Sequence, residues 1–294
     1  MLAARNTTTA IFRRTTQFSQ PLPRNLQGSA FRILKFQRNM HIQYIKMRWG
    51  TGDNYAYVVT DDATKESLII DPAEPDEVLP VLKELEKKGE IKLTAIVNTH
   101  HHHDHSGGND RMRRAYPGLP IIAGFNSPHV TNTPANNSTF KLGDGITVTA
   151  LHTPCHTQDS ICYFFQDGDQ KAVFTGDTLF NCGSGRFFEG TAAEMDVALN
   201  KILGSLPADT LVYPGHEYTA SNIKFAKSVL NNEPLKKIDD YMRTHEVTTG
   251  IFTIGDELTY NPFMMVTDPA IQKALGLDDR VEVMKKLREL KNKF

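Results

Sequence analysis

His100, His102, Asp104 and His105 stand in the run Thr-His-His-His-His-Asp-His-Ser-Gly-Gly-Asn at residues 99–109. Their H-x-H-x-D-H spacing can present imidazole and carboxylate ligands to two adjacent metal ions, which is the chemistry of a metallohydrolase. Neutral imidazole together with carboxylate suits zinc first, and also iron or manganese; an all-oxygen set would suit magnesium or calcium. A purification tag or a solvated histidine tract would lie at a terminus and would not be interrupted by Asp104 and followed by Gly107-Gly108. In an extended segment side chains alternate, so His100 and His102 share one side while His101 faces the other. His101 and His103 are not needed as ligands.

A dinuclear site needs more donors, and the chain offers them after three later apolar runs. His156 lies in Thr-Pro-Cys-His-Thr behind residues 146–152, where Pro154 would end a strand. Asp177 lies in Phe-Thr-Gly-Asp-Thr behind residues 172–174, and Gly176 would let the backbone turn so that the carboxylate reaches inward. His216 lies in Tyr-Pro-Gly-His-Glu-Tyr behind residues 210–213. Each alone could be an ordinary structural residue; it is their order along the chain that points to one site.

The elements that must position them can be read from the pattern. The short β-branched run at 93–98 predicts a buried strand whose exit loop carries the histidines. Further strands are expected near 42–46, 55–60, 67–70, 119–123, 146–151, 161–165, 172–174 and 211–213. Helices are expected at 76–88, with Val78, Leu79, Leu82 and Leu85 on one face and Gly89 as the stop, at 110–116 and at 192–203. From residue 217 onward helical periodicity dominates, at 223–230, 235–242 and 281–290. Strands with helices between them predict an α+β chain of two sheets flanked by helices, with a catalytic domain at 40–216 and a helical domain at 217–294.

The ordered ligand set resembles the metallo-β-lactamase superfamily. That resemblance supplies the αββα sandwich and the ligand roles: a first metal held by His100, His102 and His156, a second by Asp104, His105 and His216, and Asp177 bridging them. The flanking phrases resemble one family within it, the glyoxalase II or hydroxyacylglutathione hydrolases, from Met40 to the C-terminus. They include Gly-Asp-Asn-Tyr at 52–55, Asp71-Pro72, Thr-Pro-Cys-His-Thr at 153–157, Thr-Gly-Asp-Thr-Leu-Phe at 175–180, Arg-Phe-Phe-Glu-Gly-Thr at 186–191 and His-Glu-Tyr-Thr at 216–219. Thr-Tyr-Asn-Pro-Phe at 259–263 and Arg-Glu-Leu-Lys-Asn at 288–292 follow near the end.

In that family the helical tail closes over the site and helps to bind the glutathione part of the substrate. The resemblance thus implies substrate contacts from Arg186, Phe188, Tyr218, Arg288 and Lys291. Cationic donors suit the carboxylates of glutathione. Phe188 stands where other members carry tyrosine, so a hydroxyl contact is lost there.

The implied reaction is hydrolysis of S-(2-hydroxyacyl)glutathione thioesters, with S-D-lactoylglutathione giving glutathione and D-lactate, a step of methylglyoxal detoxification. Paired cations lower the pKa of water from about 15.7 to near 7, and Asp104 would orient the resulting hydroxide. A thiolate leaves readily, because its parent thiol has a pKa of about 8.5, so no dedicated general acid is required. The alternative on the same fold is a persulfide dioxygenase using one iron, which would employ only part of a ligand set that is complete here. A nucleic-acid-processing member would need a basic, aromatic-interleaved surface.

The charge distribution argues against that last reading. Residues 1–39 hold Arg5, Arg13, Arg14, Arg24, Arg32, Lys35 and Arg38 and no Asp or Glu, whereas the rest of the chain carries net charge −8 (26 minus 34) against −1 (33 minus 34) for the whole. An arginine-rich, acid-free leader with many Ser and Thr has the composition of a mitochondrial transit peptide and points to the matrix. Initiation at Met40 would give a cytosolic form without it. No apolar run approaches the roughly 20 residues that span a bilayer, so a soluble protein, expected to be monomeric and without nucleic-acid or membrane partners, is predicted. Cys155, Cys162 and Cys182 are odd in number and lack paired spacing, which predicts free thiols. Cys155 beside His156 is not a nucleophile and base pair, since neighbours on an extended chain point apart.

Overall fold

A computed structural model describes residues 40–47 and 53–294; the expected transit peptide at 1–39 lies outside the described residues. The first sheet is built from β1 (Met40–Met47), β2 (Asn54–Asp61), β3 (Glu66–Ile70), β4 (Lys92–Val97) and β5 (Ile121–Ile122), in that spatial order. Its first two pairings are antiparallel and the next two parallel. The β3 to β4 crossover runs through α1 (Pro75–Lys87), whose Val78, Leu82 and Leu85 are buried and whose stop is Gly89 at φ +68. After β4 come α2 (His103–Ser106) and α3 (Asn109–Ala115).

The second sheet contains β6 (Thr139–Leu142), β7 (Ile146–His152), β8 (Ile161–Asp167), β9 (Gln170–Gly176) and, beyond the short hairpin β10 (Leu179–Phe180) and β11 (Gly183–Ser184), β12 (Leu211–Pro214). Their order is β12-β9-β8-β7-β6, antiparallel except for the parallel pair β12 and β9.

Strands buried on both faces explain why their sequence runs read as continuous apolar text rather than alternating text. Tyr57 and Val59 of β2 point between the sheets, where they meet Tyr163, Phe165 and Phe174, whereas Ala56 and Val58 point outward against Val78 and Leu82 of α1. On the far side of the second sheet, Phe164 and Val173 pack under α4 (Ala192–Val197), α5 (Thr219–Ala226), α6 (Glu233–Met242), α7 (Ile254–Tyr260), α8 (Pro269–Leu275) and α9 (Arg280–Lys291). The result is helix, sheet, sheet, helix, and the C-terminal helices share one apolar core with the outer face of the sandwich.

Three expected elements change, one of them the helix expected at 223–230, which lies at Thr219–Ala226 because the chain turns through Ser228 N–H to Phe225 O and Val229 N–H to Ala226 O. The strand expected at 119–123 shortens to Ile121–Ile122, because Gly118 turns at φ +89, Pro120 has no N–H, and the chain past Ile122 pairs with the Asn132 carbonyl through Ala123 N–H. The single helix expected at 192–203 divides into α4, a π-helical stretch Ala198–Ile202 and a tighter turn Leu203–Ser205. Within the π stretch, Asn200 Nδ2 donates to both Asp196 Oδ1 and Phe263 O. Among the described residues, no helix is long and apolar enough to cross a membrane.

Candidate metal centre and substrate pocket

Strand ends deliver every expected ligand to one edge of the sandwich, which is where open α/β sheets place their ligands. His100 and His102 follow β4, and one turn of α2 then carries Asp104 and His105. His156 follows β7, Asp177 directly follows β9, and His216 lies two residues past β12. Two glycines are required by the crowding. Gly176 adopts φ +47, and a Cβ there would come within 2.4 Å of Thr99 Oγ1. At Gly215, a Cβ would lie 2.5 Å from Asp177 Oδ1 and 2.6 Å from His105 Cε1.

The nitrogens converge in two sets. His102 Nδ1 lies 3.1 Å from His100 Nε2 and 3.0 Å from His156 Nε2. His105 Nε2 and His216 Nε2 are 3.2 Å apart, and Asp104 Oδ2 is 3.5 Å from His216 Nε2. Asp177 stands between the sets: Oδ1 is 3.2 Å from His105 Nε2, and Oδ2 is 3.5 Å from both His156 Nε2 and His216 Nε2. Despite its proximity to His105, Asp177 Oδ1 is buried without an aligned hydrogen bond.

The outward nitrogens fix the tautomers. His156 Nδ1 faces the Arg186 carbonyl at 2.9 Å, His105 Nδ1 faces Asp71 Oδ2 at 2.9 Å, and His216 Nδ1 faces Asp53 Oδ1 at 3.0 Å. Such oxygens can only accept, so each ring carries its proton on Nδ1 and turns Nε2 inward. His100 is held likewise: Thr99 Oγ1 donates to Asp71 Oδ2 at 2.7 Å and is therefore left to accept from His100 Nδ1 at 3.1 Å. The inward atoms then have no protons to share, yet they sit at the spacing of about 3.3 Å that tetrahedral bonds of about 2.05 Å would impose. These buried, mutually facing lone pairs fit a cation at the centre of each set.

Electrostatics agree. Burial pushes His100 well below the ordinary imidazole value and lowers His102 and His156, keeping them neutral as ligands must be. Burial also opposes charge on His105, but Asp177 and Asp71 outweigh it and lift the group to about 10; His216 is raised in the same way, chiefly by Asp177. For Asp104, burial is outweighed by His216 and His105, which bring the carboxyl to about 2. The acids thus demand positive charge inside the site, and a divalent cation competes with protons to supply it. The cluster is a divalent-metal site.

Beside it lies a cavity of about 530 Å³ whose lining includes Arg186, Phe188, Lys285, Arg288, Glu289 and Asn292. Phe188 is exposed, yet its ring stands edge-on to His102 and His156, at 5.7 and 5.3 Å between centroids. Arg288 is buried, with Nη1 donating to the carbonyls of Ser184 and Gly185 at 3.0 and 3.3 Å. Of the five expected substrate residues, Tyr218 and Lys291 are not among those lining the cavity. Tyr218 stacks on His216, its planes 4° apart, and Lys291 Nζ donates to Ser221 O at 3.1 Å beside the Phe225 ring. Sequence reasoning did not assign roles to Asp53 and Asp71. The Asp71-Pro72 and Gly-Asp-Asn-Tyr phrases contain them, but only the fold brings them behind His216 and His105.

All three cysteines are buried free thiols. Burial pushes Cys155 up to about 12, which removes it as a nucleophile.

Fold and cluster together define a member of the metallo-β-lactamase superfamily: the family model of that description matches residues 49–216, more than half of the chain. A second model, described as hydroxyacylglutathione hydrolase C-terminus, matches residues 217–294. The chain belongs to the hydroxyacylglutathione hydrolase family. A Schizosaccharomyces pombe protein described as a probable hydroxyacylglutathione hydrolase is 53% identical over 86% of this chain and 99% of its own length. The Saccharomyces cerevisiae cytoplasmic isozyme of hydroxyacylglutathione hydrolase is 46% identical over 87% of this chain and 100% of its own length, and the mitochondrial enzyme of that yeast is 44% identical over 88% and 98%. Among solved structures, ETHE1 from Myxococcus xanthus superposes with a TM-score of 0.61 at 25% identity, covering 84% of this chain and 91% of that one. The BLEG-1 B3 metallo-β-lactamase superposes at 0.56 with 23% identity, covering 76% and 99%. Both show the shared fold.

Proposed function

We propose that this chain hydrolyses S-(2-hydroxyacyl)glutathione thioesters, S-D-lactoylglutathione foremost, to glutathione and the 2-hydroxy acid. The observation that carries the proposal is the adjacency of a complete two-set ligand cluster and a cationic cavity of glutathione-compatible charge. Two divalent cations, zinc first and iron or manganese as other fits, would be held by His100, His102 and His156 and by Asp104, His105 and His216, with Asp177 serving both. When bound, such ions would supply activation of water near neutral pH and positive charge for a developing oxyanion.

The chain's own groups do the rest. Asp53, Asp71, Thr99 and the Arg186 carbonyl hold the imidazoles in the tautomer that turns Nε2 inward. Asp104, partly exposed, would orient the attacking water. Arg186 and Arg288 face the carboxylates of the peptide, with Lys291 and Tyr218 beside them, and Phe188 contributes an apolar wall. The glutathione thiolate leaves without prior protonation, because its pKa is about 8.5.

The division into a catalytic domain at 40–216 and a substrate-binding helical domain at 217–294 belongs to the same reading, as does a matrix protein whose leader is residues 1–39, with a cytosolic form starting at Met40. The test uses protein lacking residues 1–39 and an Asp177→Ala variant. Loss of thioester absorbance on S-D-lactoylglutathione with about two metals per chain, both abolished in the variant, is expected. A folded, metal-loaded parent that instead consumes oxygen with glutathione persulfide would overturn the proposal.

A further inference from the structure

We propose that His101, a member of the histidine run outside the cluster, is a positioning residue for the substrate, anchoring a clasp that holds segment 186–190 against the metal site. The inference rests on the thioesterase reading above.

His101 Nδ1 donates to Asp159 Oδ1 at 2.7 Å, while its Nε2 lies 3.5 Å from Glu189 Oε1. Asp159 is a fixed anchor. It is buried, Thr157 Oγ1 donates to the same oxygen at 2.8 Å, and Gly124 backs onto it so closely that a Cβ there would lie 2.8 Å from Oδ2. The carboxylate has no room to swing, so the imidazole it holds is fixed as well.

At the other end, Glu189 is tied to the turn that bears Asp159. Glu189 Oε2 accepts from Gln158 N–H at 2.6 Å, and Glu189 O accepts from Gln158 Nε2 at 3.0 Å. His101, Asp159, Gln158 and Glu189 thereby form a chain of contacts, from His101 to Asp159 and from the adjoining Gln158 to Glu189, that links the histidine loop, the turn after His156 and the segment 186–190.

What the clasp restrains is functional. Glu189 lies between Phe188, whose ring covers His102 and His156, and Gly190, where a Cβ would come within 2.5 Å of Cys155 Cα. Phe188 is 60% exposed, so packing alone restrains it weakly. Arg186 and Phe188 both line the cavity, and the position of their segment therefore sets its width. His101 Nδ1 is spent on Asp159, outside the converging nitrogens, so loosening the clasp affects capture of the glutathione portion more than the metals or the chemical step.

The test compares His101→Ala, Asp159→Ala, Asp159→Asn and the double alanine variant in the metal-loaded protein. His101→Ala and Asp159→Ala are expected to raise KM for S-D-lactoylglutathione about tenfold, with kcat within about threefold and metal content unchanged. Asp159→Asn keeps an acceptor for His101 Nδ1 and retains the parent KM. The double variant is no worse than either single one, as partners in one contact require. An active parent beside a His101→Ala variant of unchanged KM overturns the clasp alone, as does loss of metal in that variant or additive effects in the double variant. A parent without thioesterase activity overturns the functional reading, and this inference falls with it.

Discussion

The main-chain oxygen of Arg186 accepts from His156 Nδ1 at 2.9 Å, so the segment that carries a cationic side chain of the substrate cavity also sets the tautomer of a metal-facing imidazole. The cavity and the metal site are thereby coupled through one peptide group. Gly185, immediately before it, makes the approach possible: a Cβ there would lie 1.8 Å from the Asp177 carbonyl oxygen and 2.9 Å from His156 Nδ1.

Gly185→Ala is therefore expected to displace the segment and release the His156 ring. Metal content should fall, and kcat/KM should drop about a hundredfold or more, since a displacement of about 1 Å costs that much at a preorganised site. Metal analysis and steady-state kinetics check it together; loss of activity with both metals retained would show that only the cavity had moved.

How legible this site is in the sequence differs among the elements that carry it. The ligands could be read because each follows an apolar run and their order along the chain points to one site, even where the run is as short as 172–174 before Asp177. The hairpin of β10 and β11 could not, since two residues per strand carry no period. Nor could α2, a single turn, although it is what brings Asp104 and His105 together. Strands β7, β8, β9 and β12 of the second sheet and helices α6 and α9 lie close to their expected bounds, whereas β6 at Thr139–Leu142 was not expected, and α7 and α8, seven residues each, lacked enough periodic text to be read. Contacts distant in sequence were invisible: Asp159 is 58 residues from His101, and only the fold joins them.

A pH dependence follows from Lys291. Burial, reinforced by nearby Arg288, lowers its ammonium to about 8. Below that value Lys291 is charged, and in the proposed binding mode it attracts a substrate carboxylate; above it the charge is lost. KM for S-D-lactoylglutathione should then rise as pH passes about 8, with a limb that is absent in Lys291→Met. Both proteins see the same titration of substrate, so the difference between their KM profiles isolates the residue.

Cys155→Ala is expected to leave kcat within about threefold of the parent and to cost about 1 kcal/mol of stability. The thiol is buried, its Sγ donates to Thr191 O at 3.2 Å, and burial holds it protonated. Slow alkylation of the native protein by iodoacetamide is the companion measurement. A large fall in kcat with intact folding would restore the Cys155 and His156 pair as chemistry.

Glu257 links the helical region to the hairpin before the substrate segment. Its Oε1 accepts from Tyr260 Oη at 2.8 Å, and its Oε2 accepts from Cys182 N–H at 2.9 Å and Asn261 Nδ2 at 2.8 Å; Asn261 Nδ2 also reaches Gly183 O at 3.0 Å. Glu257→Gln keeps the shape and the neutral charge, and its Nε2 can take the place of the protonated carboxyl's O–H against Tyr260 Oη, which accepts as well as donates, so the expected cost in urea unfolding at about pH 4 is no more than about 1 kcal/mol. Burial pushes the Glu257 carboxyl up to about 8, so the folded chain keeps a proton that the unfolded chain releases near pH 4.3. Its contribution is thus fully present below about pH 4 and is lost as pH rises through about 8. The parent's stability relative to Glu257→Gln should fall between about pH 5 and pH 8, whereas a relative stability that rises would show that the three donors, rather than burial, decide its charge.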